Sequence, residues 1–379
     1  MASPNVVVYG LCTEGYDLAC EMVLKGAKVY IVDESNQSAM LLAQEIAKTY
    51  PNLHSIKDDE IILPLVSIKE AVSKAQYIFF SPRIRKVGQD LRTEIHFKFK
   101  GATTNIAKNA SIVYCIPAGI GGNNENISLL EHITGFEVGK TLFYFYYPLG
   151  GLQQNPKTMG SFNGRSDPIL TNLLTTDKKK IPIVTLQSSE ITHAIDTLSQ
   201  FTRLSSILEI CKTMQGEQME PDDYLGSHSE IYLGSMVEKL YDLRSLNSSL
   251  EGAGTLTSMI NCNVKCIDMY IKRLVDKIRS TLKKNDLKAS RTLVAISWTL
   301  DKYEMRGDKI EFFEKFQERL RDYIRDVDTY NEPYADTFDG TKTIIVVACT
   351  KDDYEKIQRE KKDPYMILIK ANPMCEIVE

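Results

Sequence analysis

The chain has 379 residues, of which 43% are hydrophobic and 25% charged, with a formal net charge of -4. This is the balance of ordinary globular domains, and the length allows two or three separate cores. No run of like charge is longer than Lys178-Lys179-Lys180, which argues against a nucleic-acid surface, and no apolar run reaches the roughly 18 residues of a membrane span.

The N-terminus has neither the basic nor the apolar stretch of a secretion signal. Eight scattered cysteines, several inside apolar runs, point to a reducing, cytoplasmic compartment. Cys262 and Cys266 share a helix face, but no second pair or nearby His completes a metal site, so they read as half-buried thiols.

In chain order, Val6-Val7-Val8-Tyr9 predicts a strand, Gly10 to Gly15 a tight turn, and Leu18, Met22 and Val23 a helix. Val29-Tyr30-Ile31-Val32 is a second strand ending in Asp33. Strand, glycine turn, helix, strand and acid within about thirty residues is the layout of a dinucleotide-binding βαβ unit. Strand-like runs recur at Tyr77–Phe80, Ser111–Tyr114 and Leu142–Phe145 with helical patterns between, which predicts a parallel sheet covered on both faces. Gly150 to Lys180 is polar and reads as a long loop or domain edge. Ile191, Ile195, Leu198, Phe201, Leu204, Leu208 and Cys211 predict a long helix, and more helix follows from Ser235 to Lys284, broken near Gly252. The βα alternation resumes with strands at Thr292–Ile296 and Thr343–Ala348 and helices at Ile310–Tyr323 and Asp352–Glu360.

This order of segments resembles the UDP-glucose/GDP-mannose (nucleotide-sugar) 6-dehydrogenases over nearly the whole chain. The segments that carry it are the opening βαβ unit, "VSIKEAVSKAQYIFFSP", "SIVYCIPAG", "FYFYYPLGG", "YLGSHSEIYLGS", "LVAISWTLDKYEMRGDKI", "VDTYNEPYAD" and "KTIIVVACTKDDYEKI". The resemblance implies an N-terminal Rossmann-type parallel sheet domain over 1–185, a central all-helical, dimer-forming domain over 186–285 and a C-terminal Rossmann-like α/β domain over 286–379. It also implies NAD as cofactor and a nucleotide-sugar substrate, a CH2OH group being oxidised twice through a cysteine thioester. Such chemistry needs a thiolate nucleophile and donors for an oxyanion.

Carried across position by position, those roles fall on residues of the wrong type. The nucleophile falls on Ser229, and the aspartate four residues later on Leu233. The helix lysine and asparagine fall on His193 and Thr197. The strand threonine falls on Cys115, the turn glutamate on Leu149, and the last-domain lysine on Thr299. Arg306 alone keeps its type and is the candidate contact to phosphate or sugar. Tyr330 and Tyr334 flank Pro333 as in the family's turn, with Asn331 in place of its aspartate. Cys115 is a candidate nucleophile with His193 as its base if the two meet; a cysteine ending a buried strand is ordinarily a small core residue. Ser229 lacks a visible triad, because the adjacent His228 points away in an extended loop.

The phosphate turn departs too. Gly10 and Gly15 hold the first and third fingerprint places, but Cys12 replaces the glycine of closest approach. Glu14 sits at the helix start, where like charge beside a phosphate costs about 3 kcal/mol at roughly 5 Å. Asp33 is placed for a ribose hydroxyl or, equally, for a strand-end cap. Three readings follow. The first is a catalytically degenerate homologue acting as a binding, regulatory or structural protein. The second is an NAD-dependent oxidoreductase with a rebuilt site. The third is a non-redox enzyme using a nucleoside-type cofactor without a pyrophosphate.

Overall fold

Val6, Val7 and Val8 are fully buried in strand β1 (Asn5–Tyr9), and their alternation explains the first layer of the fold. Val6 and Val8 pack into one apolar cluster with Leu18 and Met22, while Val7 and Tyr9 face another with Phe80 and Phe99. A strand that buries both faces belongs inside a sheet covered on each side. The computed structural model describes residues 3–85, 89–150, 156, 158–175, 181–213, 231–250, 252, 254–330, 343–360 and 366–373.

The chain divides into two units. The first comprises Met1–Thr197, Tyr241–Gly252 and Asp301–Gly307; the second comprises Leu198–Leu240, Ala253–Leu300 and Asp308–Glu379. In the first, β1 leads through α1 (Thr13–Leu24) to β2 (Lys28–Asp33), β3 (Ser38–Leu42), α2 (Gln44–Thr49), α3 (Leu53–Asp58), β4 (Leu65–Ser67), α4 (Ile68–Ser73) and β5 (Tyr77–Phe80). It continues with α5 (Gln89–Thr103), β6 (Ser111–Tyr114), α6 (Gly122–Thr134), β7 (Phe143–Tyr146), β8 (Met159–Ser161), α7 (Pro168–Leu174) and β9 (Ile183–Thr185). The strand order is β4-β3-β2-β1-β5-β6-β7-β8-β9. β1 lies between β2 and β5, parallel to both, so the chain reverses its winding there. The carboxyl end of such a strand is where open α/β sheets present their sites.

The sheet is parallel through its centre, as the sequence predicts, with β3 antiparallel to β2 and β4 and β8 antiparallel to β7. One expectation needs correction. The stretch expected as a loop contains β8 and α7. Asp167 caps α7 by accepting from the Ile169 and Leu170 amides, and Pro168 opens it. That start signal lay inside a polar composition that otherwise reads as loop.

α8 (Leu186–Thr213) is the long helix read from the isoleucine and leucine spacing. It is followed by α9 (Leu233–Val237), α10 (Leu240–Ser249) and α11 (Thr255–Lys284). The second unit carries β10 (Thr292–Ser297), α12 (Asp308–Arg321), β11 (Asp326–Thr329), β12 (Thr343–Ala348), α13 (Lys351–Glu360) and β13 (Met366–Lys370). Its sheet, in order β11-β10-β12-β13, is parallel throughout. Ala295, Ile344, Val346, Ala348 and Leu368 form its apolar centre. No described helix is long and apolar enough to cross a membrane.

Candidate functional site: a filled phosphate turn and a buried ion pair

The turn after β1 keeps the glycines its geometry demands. Gly10 has φ +123°, and a Cβ there would lie 2.3 Å from the Ser81 carbonyl oxygen at the end of β5. A Cβ on Gly15 would lie 2.9 Å from Ser81 Oγ. Both glycines therefore serve the close packing of the turn on its neighbouring strand. Cys12 is fully buried, with an extended backbone, and is the N-cap of α1. Its Sγ accepts the Gly15 amide at 3.2 Å and donates to the Ser81 carbonyl at 3.2 Å. Burial first, and then the nearby Glu14 carboxylate, push the Cys12 thiol well above its usual range. It stays a thiol in its capping role.

The other amides at this helix start are also engaged. Thr13 N–H donates to the Tyr303 carbonyl at 2.9 Å, and Thr13 Oγ1 to Asp301 Oδ2 at 2.5 Å. Glu14 Oε2 accepts the Met305 amide at 2.8 Å. Burial raises the Glu14 pKa; the Arg306 charge and hydrogen bonds from the Glu14 and Met305 amides oppose this. Asp17, one turn along α1, is pushed up to about 6 by burial and by Glu14, Glu21 and Asp301. Residues 301–307 thus lie against the turn as a strap. Ile84 N–H donates to the Met305 carbonyl at 2.8 Å, and Arg85 Nη2 to the Lys302 and Glu304 carbonyls at 3.0 and 2.7 Å. His54 Nε2 is 3.0 Å from Asp301 Oδ1, with its ring edge-on to Tyr303.

Asp33, the residue expected at a ribose, accepts two hydrogen bonds in the β2–β3 hairpin. Its Oδ1 accepts the Ser35 amide and its Oδ2 the Asn36 side-chain amide, each at 2.9 Å. These are the contacts of a strand-end cap.

Cys115, Leu149, Arg306 and His193, all singled out from the sequence, are joined through Asp242 by a polar chain in the first unit. Cys115 is fully buried, its thiol pushed far up by burial, and its carbonyl accepts the Leu149 amide at 3.0 Å. The Leu149 carbonyl accepts from Arg306 Nη2 at 2.6 Å. Arg306 Nε and Nη2 also reach Asp242 Oδ1 and Oδ2 at 2.5 and 3.1 Å, and His193 Nε2 is 3.1 Å from Asp242 Oδ2. The Arg306 fork is thus bidentate on a protein carboxylate. Burial raises the Asp242 pKa, but the Arg306 charge and the His193 and Arg306 hydrogen bonds outweigh it and hold the group below the usual carboxylate range. The thiol of Cys115 bonds only weakly to Val113 O at 3.5 Å, whereas His193 is engaged by Asp242.

A small cavity of about 10 Å³ adjoins this chain, lined by Tyr146, Glu190, His193, Thr197 and Asp242 among others. That is room for about one water. Glu190 accepts from the Gly121 and Asn123 amides at 2.9 and 3.0 Å and from Asn123 Nδ2 at 2.7 Å, closing the start of α6. Sequence reasoning missed Asp242 and Glu190. An Asp inside the apolar run Leu240-Tyr241-Asp242-Leu243 was the available signal, since a charge at such a position needs a partner.

No protein-family model matches this sequence, and no curated protein sequence does either. Solved structures do match. A UDP-D-ManNAc dehydrogenase from Pyrococcus horikoshii superposes with TM-score 0.67 at 14% identity, covering 98% of this chain and 96% of that one. A UDP-glucose dehydrogenase from Pyrobaculum islandicum gives 0.66 at 13%, covering 98% and 94%. A UDP-N-acetyl-mannosamine dehydrogenase from Staphylococcus aureus gives 0.55 at 10%, covering 97% and 95%. The chain has the fold of these UDP-sugar dehydrogenases.

In the second unit of this dehydrogenase fold, Leu233 is fully buried and its amide donates to the Ala371 carbonyl at 2.9 Å. Thr299 donates from Oγ1 to Asp353 Oδ1 at 2.6 Å. Neither is arranged as an acid or base. Cys266 is buried and Cys262 exposed, and no group of three or more His, Cys, Asp and Glu suits a metal among the described residues. Ser229, His228, Asn331, Pro333 and Tyr334 lie outside the described residues.

Proposed function

We propose that this protein keeps a nucleotide-sugar dehydrogenase architecture without its redox chemistry, and acts as a binding, regulatory or structural protein. One observation carries the reading: Cys12 Sγ occupies the Gly15 amide at the point of closest approach to a pyrophosphate. The residues present do not fit NAD in the ordinary pose, since its phosphates would meet a fixed side chain, a half-buried Glu14 and an amide already committed to Tyr303. Further support comes from the inert groups at the catalytic positions, Leu149, Leu233 and Thr197. The test is a thermal-unfolding panel with NAD+, NADP+ and UDP- and GDP-sugars, followed by NADH absorbance with each sugar nucleotide. Stoichiometric NADH formation with any of them refutes the reading.

The His193–Asp242 pair favours one second reading, an oxidoreductase with a rebuilt site in which an Asp-held imidazole takes the place of the family's lysine. It requires turnover that His193→Gln abolishes. The exposed Ile191 and Ile195, one turn apart on α8, support a homodimer formed through this helix, which light scattering on the purified protein decides. Thiols buried in apolar surroundings, those of Cys12, Cys20, Cys115 and Cys349, support a cytoplasmic setting.

A further inference from the structure

We infer that the segment Asp301–Gly307 is an internal ligand of the phosphate turn, a strap that a free phosphate-bearing molecule must displace before it can use the α1 amides. This deepens the function proposed above and rests on that reading of the turn.

The strap offers the kinds of atom that a pyrophosphate would. A carbonyl oxygen, that of Tyr303, lies on the Thr13 amide, and the Asp301 carboxylate lies on the Thr13 hydroxyl. Negative charge and oxygen acceptors are what the positive end of a helix favours. Three further anchors hold the strap from the strand side: the Ile84 amide on the Met305 carbonyl, the Arg85 guanidinium on the Lys302 and Glu304 carbonyls, and Arg83 over the Tyr303 ring at 5.9 Å. Met305 is fully buried in the cluster that includes Leu11, Cys12 and Leu149. The strap is also tethered at both ends by the chain, between β10 and α12. An attached ligand acts at an effective concentration on the order of millimolar. If the strap is seated in about 99 molecules of 100, the apparent affinity of any competitor falls about a hundredfold.

The test separates the strap from the local obstacles in the turn. One variant, Cys12→Gly, clears the turn and leaves every strap contact in place, including the Met305 amide on Glu14. A second adds Asp301→Ala/Arg85→Ala to loosen it. NADH is the probe, followed by fluorescence anisotropy, with inorganic pyrophosphate measured by calorimetry. Binding of NADH at least tenfold tighter to the second variant than to the first supports the strap; a smaller gain, or none in either variant, overturns it. Hydrogen exchange on the unaltered protein is a second measurement that needs no variant. The Thr13 and Met305 amides exchange at least tenfold slower than exposed loop amides if the strap is seated, and at loop rates if it is not. Sugar-nucleotide turnover by the unaltered protein would sink the proposed function, yet it leaves the Thr13 exchange rate to be read independently.

Discussion

Replacing Arg306 by methionine tests the buried polar chain directly. Arg306 and Asp242 are 4% and 2% exposed, and two hydrogen bonds join them at 2.5 and 3.1 Å. Arg306→Met keeps the volume but leaves Asp242 with the His193 contact alone and strips the Leu149 carbonyl of its donor. Breaking one side of a buried pair costs about 3–5 kcal/mol, because an uncompensated charge stays behind. At about 2–4 °C per kcal/mol for a domain of 150–250 residues, the midpoint falls by roughly 10 °C. The pair contributes stability above the unfolded pKa of Asp242, and this is lost as pH falls through its depressed folded value. Without Arg306, burial dominates and the carboxyl takes up a proton, so the loss is smaller at pH 5 than at pH 8. Arg306→Met/Asp242→Leu restores most of the stability, since no buried charge remains. Urea denaturation of the four proteins of the cycle is the assay. A single-variant loss under about 1 kcal/mol, or a double variant no better than Arg306→Met, refutes the reasoning.

Other outcomes follow from the same geometry. Asp17 has a raised folded pKa of about 6, so its ionisation penalises the fold above that pH and the penalty fades as pH falls toward 4. Asp17→Asn therefore raises the urea midpoint at pH 8 and not at pH 4; after solvent screening of this half-buried group the gain is about 1 kcal/mol. Gly10→Ala meets both a φ of +123° and a carbonyl oxygen at 2.3 Å, and should cost about 3 kcal/mol or more. Gly26→Ala, at φ +88° with open space around it, should cost only about 1 kcal/mol, and equal losses in calorimetry would contradict the packing argument. Glu190→Ala removes the acceptor for three donors at the start of α6 and should cost about 2 kcal/mol, while Glu190→Gln recovers part of it in the same melts.

The strands β1, β2, β5, β6, β7, β10 and β12 were legible because each is a continuous apolar run whose burial needs no partner to be named. The helices α1, α8 and α12 were legible from their three-and-four spacing. The strands β3, β4, β8, β9, β11 and β13 were not assigned from the sequence. β4, β8 and β9 are three residues long, and β11 is Asp-Val-Asp-Thr, so distant pairing supplies what local pattern lacks. Of the candidate site, the sequence made legible the glycine turn after the first strand and the cysteine and acid within it, Cys12 and Glu14.

The sequence by itself determined the βαβ opening, the two α/β regions and the long helices, since hydrophobic period is a local property of the chain. Only the tertiary structure decided which groups fill the phosphate turn and where Arg306 is committed. The Tyr303 carbonyl on Thr13 comes from the backbone, which carries no residue-type signal, and Asp242 meets Arg306 across 64 positions. Long-range hydrogen bonds depend on how packed elements bring distant residues together, and no neighbouring residue encodes that.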